Sequence, residues 1–299
     1  MLAGTGGQWR VHLDDGRIAI AALRGRVKHD GERKLAVGDR VEVERDSRDS
    51  ALAIVGIEPR RTQLARRNPG GQRGERIVAA NLDQVIIVFA MVKPEPNERM
   101  LDRFLVIAEA DDLPARIVVN KTDLESEAEA RRRFGHYEAL GYPLHLTSIV
   151  TGVGLDALHD VLRGATSAFT GPSGVGKSSL MNAMYPGLDL RVGAISESVN
   201  KGRHTTVGAH MHPLPDGGYV MDTPGLREVG LWGLPSASLD QCFPEFKVRL
   251  GACRFGDCRH LAEPGCVVRA AVDEGTITAD RYASYVKLRE EVAVTEQEW

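Results

Sequence analysis

The chain has 299 residues, enough for two or three domains at about 100 to 200 residues each. Its net charge of −3 excludes an overall positive field that would attract nucleic acid, and no apolar run reaches the roughly 18 residues that cross a membrane. The first residues also lack a basic segment followed by an apolar one, so we expect a cytoplasmic protein.

Short segments typical of β-strands, separated by glycine turns, fill residues 8–57. They are Trp9–Leu13, Arg17–Ala21, Gly25–Lys28, Gly38–Val43 and Ala51–Val55. Several short strands at close spacing predict a small β-barrel. An oligonucleotide-binding (OB-like) barrel is one candidate, and an SH3-like barrel is the other.

An arginine-rich segment without acidic residues follows at residues 59–74. Its positive side chains are Arg60, Arg61, Arg66, Arg67 and Arg73. We interpret the segment as a linker that either binds nucleic-acid phosphates or simply connects two domains through solvent.

From residue 76 to about residue 232, apolar runs alternate with helical patterns. Val85–Phe89 is typical of a buried strand, Met100–Glu109 of an amphipathic helix and Glu125–Leu140 of a charged helix. Strands that alternate with helices predict an α/β domain, in which a parallel sheet carries helices on both faces.

The tetrapeptide Asn120-Lys121-Thr122-Asp123 follows a predicted strand at Ala115–Val119. The carboxyl end of a strand in an open α/β sheet is where ligands bind. The two oxygens of Asp123 can accept hydrogen bonds from N1–H and the 2-amino group of guanine, whereas adenine has no donor there. We therefore predict a guanine-nucleotide protein rather than an ATP-dependent kinase or ATPase. The dipeptide Thr147-Ser148, after the predicted strand Tyr142–Leu146, is suited to placing a backbone N–H on guanine O6, and we take Ser148 as the binding residue. A plain strand end is the alternative.

A glycine-rich loop follows the tetrapeptide Asn120–Asp123, which we call the guanine reader. In most GTPases the two motifs occur in the opposite order. The glycine-rich loop lies between a short predicted strand, Thr166–Thr170, and a predicted helix, so its backbone N–H groups can point at phosphate oxygens. Lys177 is expected to reach the β- and γ-phosphates, and the Ser178 hydroxyl to bind Mg²⁺. The predicted phosphate-binding residues are Gly171, Pro172, Ser173, Gly174, Val175, Gly176, Lys177, Ser178 and Ser179. An ordinary glycine-rich turn is the alternative.

A polar stretch without apolar periodicity, Lys201–Thr206, separates this loop from Asp222. We interpret it as a switch in which Thr206 closes over Mg²⁺ and the γ-phosphate, with Thr205 as the alternate. A solvated basic loop is the other interpretation. Asp222 ends a predicted strand and can hold Mg²⁺ through water, and the N–H of Gly225 is expected to contact the γ-phosphate.

Many GTPases position the attacking water with a glutamine after this aspartate motif. Here Leu226 stands nearby and cannot donate or accept a hydrogen bond. Hydrolysis should therefore be slow or need another group. We assign the water-positioning role to His204 as a hypothesis; the alternative is that His204 contacts RNA or solvent.

Four candidate metal ligands lie within 14 positions near the carboxyl terminus: Cys253, Cys258, His260 and Cys266. Three thiolates and one imidazole suit one tetrahedral, structural Zn²⁺, and paired disulfides are the alternative. Cys242 stands apart and is expected in the core. Helical patterns flank the cluster at Ala270–Glu274 and Arg281–Glu291, and we expect their tyrosines, Tyr282 and Tyr285, to pack in the core rather than form a stacking platform.

Together these residues resemble the circularly permuted, ribosome small-subunit-dependent GTPase A (RsgA) family. The resemblance covers nearly the whole chain, and one departure is Val207, where the family often has a third threonine. The matching segments are Arg60–Thr62, Ala80–Val85, Asn120–Asp123, Gly171–Ser179, Gly202–Thr206, Asp222–Arg227, Phe243–Phe246 and Cys253–Cys266 with Glu263–Gly265.

The resemblance implies three domains and a ribosomal role. The expected domains are an OB-like barrel with the start of the basic linker (residues 1–68), a circularly permuted P-loop GTPase domain (69–232) and a zinc-binding helical domain (233–299). Slow intrinsic hydrolysis of GTP with Mg²⁺, stimulation by the small (30S) ribosomal subunit, contacts with its rRNA and a role in late subunit maturation are also implied. We expect a monomer.

A second class of function fits the same residues. The barrel, the arginine-rich segment and the zinc domain could form mainly an RNA-binding clamp, for which GTP binding is a switch and hydrolysis only a reset. The GTPase rate with and without small subunits separates the two.

Overall fold

The computed structural model describes residues 1–5, 7–23, 35–45, 51–67, 75–188, 190, 209–222 and 234–297. Within these ranges, every helix is either too short or too polar to span a lipid bilayer.

The N-terminal part is a five-stranded sheet. It is formed by β1 (Ala3–Thr5), β2 (Gln8–His12), β3 (Ile18–Leu23), β4 (Val41–Arg45) and β5 (Leu52–Ile57). The strand order is β1-β2-β3-β5-β4, with β3 and β5 parallel and the other neighbours antiparallel. This crossover suits the predicted OB-like barrel. The expected segment Gly25–Lys28 lies outside the described residues.

The arginine-rich segment is only partly a linker. Strand β6 (Gln63–Arg67) pairs antiparallel with β7 (Glu75–Ala80), so these residues form a β-ribbon. Leu64 is buried in the main core, opposite Ala79, and anchors this ribbon. This strand was not predicted from the sequence, because its arginines hide the pattern and Leu64 is its one large apolar residue.

Arg60 does not extend from the surface as expected. Its Nε lies 2.6 Å from Oδ1 of Asp39, its Nη2 donates to Oδ2 at 2.9 Å, and Asp39 is fully buried. The same carboxylate accepts the N–H of Ala36 at 2.7 Å. Arg61 instead pairs with Asp83 and keeps 61% of its side chain exposed. Of these two neighbouring arginines, Arg60 therefore joins the segment after β5 to the buried Asp39 before β4.

The central sheet has six strands. They are β8 (Gln84–Ala90), β9 (Ala115–Asn120), β10 (Leu144–Leu146), β11 (Thr166–Thr170), β12 (His210–Pro213) and β13 (Tyr219–Asp222). The order is β10-β9-β8-β11-β13-β12, and every neighbouring pair is parallel except β12 with β13. The predicted parallel sheet is therefore extended by one antiparallel edge strand.

Helices cover both faces of this sheet, as predicted. They are α1 (Glu98–Ala110), α2 (Glu127–Ala139), α3 (Leu155–Leu162) and α4 (Lys177–Met184). Alternate residues of β8 contribute to two separate cores: Ile87 packs in the cluster that includes α1 and α2, and Ile86 in the one that includes α3 and α4. A strand buried on both faces needs such a continuous apolar run.

The C-terminal part packs against α1. It contains a 3₁₀ helix (Ser236–Cys242), α5 (Pro244–Lys247), α6 (Val267–Asp273) and α7 (Ala279–Gln297). Arg281 of α7 is buried between two carboxylates, at 2.6 Å from Asp102 of α1 and 2.7 Å from Glu245. Tyr137 of α2 also donates its hydroxyl to Asp102, at 2.8 Å. This network joins the C-terminal helices to the α/β core.

We predict that Arg60→Gln lowers the free energy of unfolding by about 3 kcal/mol, because it leaves the buried Asp39 carboxylate without its guanidinium. The matched variant Arg61→Gln should cost no more than about 1 kcal/mol, since that ion pair is exposed. Urea denaturation of both variants measures the difference. Equal losses would show that the Arg60–Asp39 pair contributes no more than a surface pair.

Candidate nucleotide and metal sites

The glycine-rich loop follows β11 and ends in the first turn of α4. Gly171 has φ of 132°, and a Cβ at this position would lie 2.0 Å from the carbonyl oxygen of Val88. Gly176 has φ of 97°, and its Cβ would lie 2.6 Å from Nδ2 of Asn120. Both positions therefore require glycine, for backbone conformation and for close approach.

Lys177 and Ser178 begin α4 and are both buried, at 8% and 6% exposure. The ammonium of Lys177 donates to the carbonyl oxygens of Gly171 and Pro172, at 2.9 and 2.8 Å. The loop therefore surrounds the Lys177 ammonium at the N-terminus of α4. A positive charge at a helix N-terminus is suited to binding an anion. This geometry is difficult to reconcile with the alternative of an ordinary turn.

The side chain of Asn120 joins three loops. Its Nδ2 donates to the carbonyl oxygen of Val175 in the phosphate loop at 3.0 Å, and its Oδ1 accepts the Thr147 hydroxyl at 3.3 Å. Asn120 and Thr147 are 1% and 0% exposed, so these bonds form away from water. The structure brings the guanine reader and the phosphate loop together, although about 50 positions separate them.

Asp123 is oriented by a neighbouring hydroxyl. The Oγ of Ser148 donates to Oδ1 of Asp123 at 2.5 Å and accepts the N–H of Thr151 at 3.2 Å. The backbone N–H of Ser148 donates to the carbonyl oxygen of Val153 at 3.0 Å. The structure therefore does not support the contact predicted between this N–H and guanine O6. Ser148 instead contributes through its side chain.

Lys121 contacts the phosphate loop and one further segment. Its ammonium donates to the carbonyl oxygen of Gly174 at 2.7 Å and to that of Lys93. Lys121 has φ of 63°, and the next residue, Thr122, donates its hydroxyl to the carbonyl oxygen of Thr147 at 3.1 Å. Sequence reasoning missed Lys93, which belongs to no motif that it recognised, and it named Thr147 only for a backbone contact to guanine O6.

The switch predictions fall largely on residues that the structure does not describe. His204, Thr205, Thr206 and Gly225 lie outside the described ranges. Asp222 ends β13, which pairs in parallel with β11 at Phe169, two positions before the phosphate loop. The backbone of Asp222 therefore lies at the same edge of the sheet as that loop.

The four predicted metal ligands form one cluster, with all ligand atoms within 4.8 Å of one another. Nδ1 of His260 lies 3.4 Å from Sγ of Cys266 and 3.7 Å from Sγ of Cys253. In a tetrahedral site with bonds of about 2.3 Å, neighbouring ligands are about 3.8 Å apart. All three cysteines are free thiols, so the disulfide alternative is wrong. The cluster can hold a metal ion.

The side chains around the cluster hold its ligands in place. Nε2 of His260 lies 3.3 Å from Oδ2 of Asp240, the kind of contact that fixes the ring of a metal-binding histidine. The hydroxyl of Tyr282 donates to the carbonyl oxygen of His260 at 2.7 Å, and that of Tyr285 to Arg259 at 2.9 Å. Tyr285 is fully buried, which agrees with its predicted core role, as does the burial of Cys242.

Glu263 organises the loop between these ligands. Its carboxylate accepts the backbone N–H groups of Arg259, Leu261 and Ala262 at 2.9 to 3.0 Å. Burial raises the pKa of this carboxyl, but the N–H donors outweigh that effect and lower the pKa to about 2. The negative charge is thus a stable part of the loop.

Comparisons with known proteins cover up to 98% of the chain. The family model described as RsgA GTPase matches residues 57–232. The small ribosomal subunit biogenesis GTPase RsgA of Gemmatimonas aurantiaca is 59% identical over 295 residues, covering 98% of this chain and 96% of that protein. The protein of the same name from Bacteroides fragilis (strain ATCC 25285) is 38% identical over 297 residues, with coverage of 97% and 96%.

Two solved structures are similar in fold. YjeQ from Thermotoga maritima has a TM-score of 0.80 and 34% identity, covering 98% of this chain and 96% of that chain. YloQ, described as a circularly permuted GTPase, has a TM-score of 0.75 and 28% identity, with coverage of 98% and 94%.

We predict that Asp240→Asn weakens Zn²⁺ binding by about tenfold or more, because the amide supports His260 less well than the carboxylate does. Asp257→Asn, an exposed position in the same loop, should leave the affinity unchanged. Competition with a chromogenic chelator measures both. Equal affinities for the two variants would show that Asp240 does not support the metal site.

Proposed function

Because this chain belongs to the RsgA GTPase family and is a circularly permuted GTPase of ribosome biogenesis, we propose that it acts in late maturation of the small (30S) ribosomal subunit. In this role it binds GTP, contacts rRNA and hydrolyses GTP faster when bound to the subunit. The main support for nucleotide binding is the contact that Asn120 makes with the phosphate loop. One buried amide there ties a guanine reader to a phosphate loop.

The nucleotide is proposed to lie across the carboxyl edge of the central sheet. Asp123, held by Ser148, would accept the two guanine N–H donors, and the stem of Lys121 would lie along the base. The phosphate loop from Gly171 to Ser179 would surround the phosphates. Because the N–H of Ser148 already donates to Val153, guanine O6 would need another backbone donor. We propose the N–H of the neighbouring Ile149.

Mg²⁺ would be bound together with GTP. We propose Ser178 as a direct ligand because it begins α4 beside Lys177, with Thr206 as the second protein ligand and Asp222 acting through water. Gly225 would contact the γ-phosphate. The ion supplies charge neutralisation at the β- and γ-phosphates.

Water positioning is assigned to His204. The support is from sequence: Leu226 near the aspartate motif has no hydrogen-bonding group, while His204 stands in the switch. If His204→Ala keeps full subunit-stimulated turnover, another group positions the water.

The metal cluster is proposed to hold one structural Zn²⁺. Three thiolates and one imidazole supply four ligands, which fill a tetrahedral site and leave no position for substrate. We infer that the ion orders the loop from Cys253 to Cys266, on which Arg254 and Arg259 are exposed.

Subunit binding is proposed to involve the arginine-rich segment (residues 59–74), the N-terminal barrel and the C-terminal helical domain. Arg61, Arg66, Arg67 and Arg73 remain candidates for phosphate contacts, whereas Arg60 is engaged with Asp39. The proposed domains are residues 1–68, 69–232 and 233–299, in a cytoplasmic monomer.

We predict that purified 30S subunits raise the steady-state GTPase rate at least about tenfold, equivalent to about 1.4 kcal/mol of activation barrier, by ordering the switch. Titrating subunits against a fixed protein concentration measures this, with 50S subunits as the matched control. No stimulation by 30S subunits, with GTP-dependent binding retained, would favour the RNA-binding clamp.

We also predict that Asp123→Asn weakens GTP binding by about a hundredfold or more, because the amide keeps one uncharged acceptor oxygen but turns its NH₂ donor toward the 2-amino group of guanine. The amide should improve binding of xanthosine triphosphate, which has a carbonyl where guanine has its amino group. Isothermal titration with both nucleotides provides the test. An unchanged preference for GTP would place the base elsewhere.

A further inference from the structure

The segment that joins β8 to α1, residues 92–97, lies against the proposed nucleotide site; we call it the β8–α1 loop. The carbonyl oxygen of Lys93 accepts a hydrogen bond from the ammonium of Lys121, which also donates to Gly174. A Cβ on Gly174 would lie 3.8 Å from Cδ of Pro94, so the loop and the phosphate loop are neighbours. Lys121 is thus held between two backbone carbonyls that come from different loops.

Arg133 of α2 fixes the other end of this loop. Its guanidinium makes three contacts: Nη1 with Glu95 at 2.6 Å, Nη2 with the carbonyl oxygen of Pro96 at 3.0 Å, and Nε with Glu98 at 3.0 Å. Only 23% of its side chain is exposed. A planar guanidinium can satisfy three acceptors in fixed directions, which an ammonium on a flexible stem cannot do with the same precision.

The neighbouring arginines of α2 behave differently. Arg131 pairs with Glu127 and Arg132 with Glu129, so each has a partner within its own helix. Arg132 keeps 73% of its side chain exposed. The three arginines share charge and helix, but Arg133 is the one whose described hydrogen bonds reach the β8–α1 loop.

We propose that Arg133 is a positioning residue for the guanine-nucleotide site, acting through the β8–α1 loop on Lys121. By fixing Glu95, Pro96 and Glu98, it keeps the carbonyl of Lys93 facing the Lys121 ammonium. The stem of Lys121 is thereby held in line over the place of the base. This inference rests on the guanine site proposed above.

The expected consequence concerns how long nucleotide stays bound. If the β8–α1 loop is not held in place, the Lys121 ammonium loses the carbonyl oxygen of Lys93, one of its two acceptors. The stem of Lys121 would then be less well fixed against the guanine base. The hydrogen bonds of Arg133 described above reach Glu95, Pro96 and Glu98, none of which belongs to the phosphate loop. The hydrolysis rate of bound GTP should therefore stay within about twofold of the wild type, while release of GDP becomes faster.

The test is release of a fluorescent GDP analogue from the full-length protein, followed by stopped flow. Arg133→Gln should raise the release rate about tenfold, the loss expected for one charge-assisted hydrogen bond. Arg132→Gln, which removes the same charge from the same helix, should change it less than about twofold. Arg133→Lys should resemble Arg133→Gln, because charge alone does not hold three acceptors.

A double-mutant cycle shows whether the effect passes through Lys121. In a Lys121→Ala background, Arg133→Gln should cause no further increase in the release rate. Equal release rates for Arg133→Gln and Arg132→Gln would overturn the inference, and so would an undiminished effect of Arg133→Gln in the Lys121→Ala background. If Arg133→Gln does not fold, Glu95→Gln removes one exposed contact and should speed release in the same direction; no change would overturn the inference.

Competition between GDP and ADP on the wild-type protein separates this inference from the proposed function. Equal affinity for the two would contradict the guanine site itself, and with it the role of Arg133. A clear guanine preference together with unchanged release from Arg133→Gln would contradict only the positioning role.

Discussion

The amide of Asn120 is the contact on which the nucleotide site depends. It is buried at the carboxyl end of β9, donates to the phosphate loop after β11 and accepts from Thr147 after β10. Carboxyl ends of parallel strands meet at one edge of a sheet whatever their order in the chain. The inverted order of the motifs therefore leaves the site intact and changes only where the chain enters and leaves it.

The two appended parts of the protein contact elements that border this edge. The barrel meets the antiparallel edge of the sheet, where Met211 of β12 donates its N–H to Leu2 at 2.9 Å and Tyr219 of β13 bonds to His12 at 2.8 Å. The C-terminal helices hold α1 through the buried pair of Arg281 and Asp102. Since β13 ends at Asp222 and α1 begins after the β8–α1 loop, both parts connect to segments beside the proposed nucleotide site. The proposed nucleotide site is therefore connected to both the barrel and the C-terminal helices through packed secondary structure.

The motifs of the candidate sites and the parallel sheet could be predicted from the sequence, because they depend on residues close together in the chain. Glycines at 171 and 176, the tetrapeptide ending in Asp123 and the spacing from Cys253 to Cys266 each carry a requirement that few other residues meet. The parallel sheet followed from apolar runs such as Val85–Phe89. Long-range contacts left no such mark in the sequence. Arg60 and Arg61 are the same residue type, yet the side chain of Arg60 is largely enclosed against the buried Asp39 while that of Arg61 faces solvent. Arg281 likewise pairs with Asp102, 179 positions away in the chain, and no periodicity in the sequence predicts that pair.

The measurement that tests the role of Asn120 most directly is the affinity of Asn120→Ala for GDP, by isothermal titration, with circular dichroism to confirm the fold. Loss of the amide leaves the carbonyl of Val175 and the hydroxyl of Thr147 without their partner, at about 1 to 3 kcal/mol for each buried group. We expect GDP binding to weaken by about a hundredfold in a folded protein. A folded Asn120→Ala variant that binds GDP like the wild type would contradict the assembly of the site around this residue.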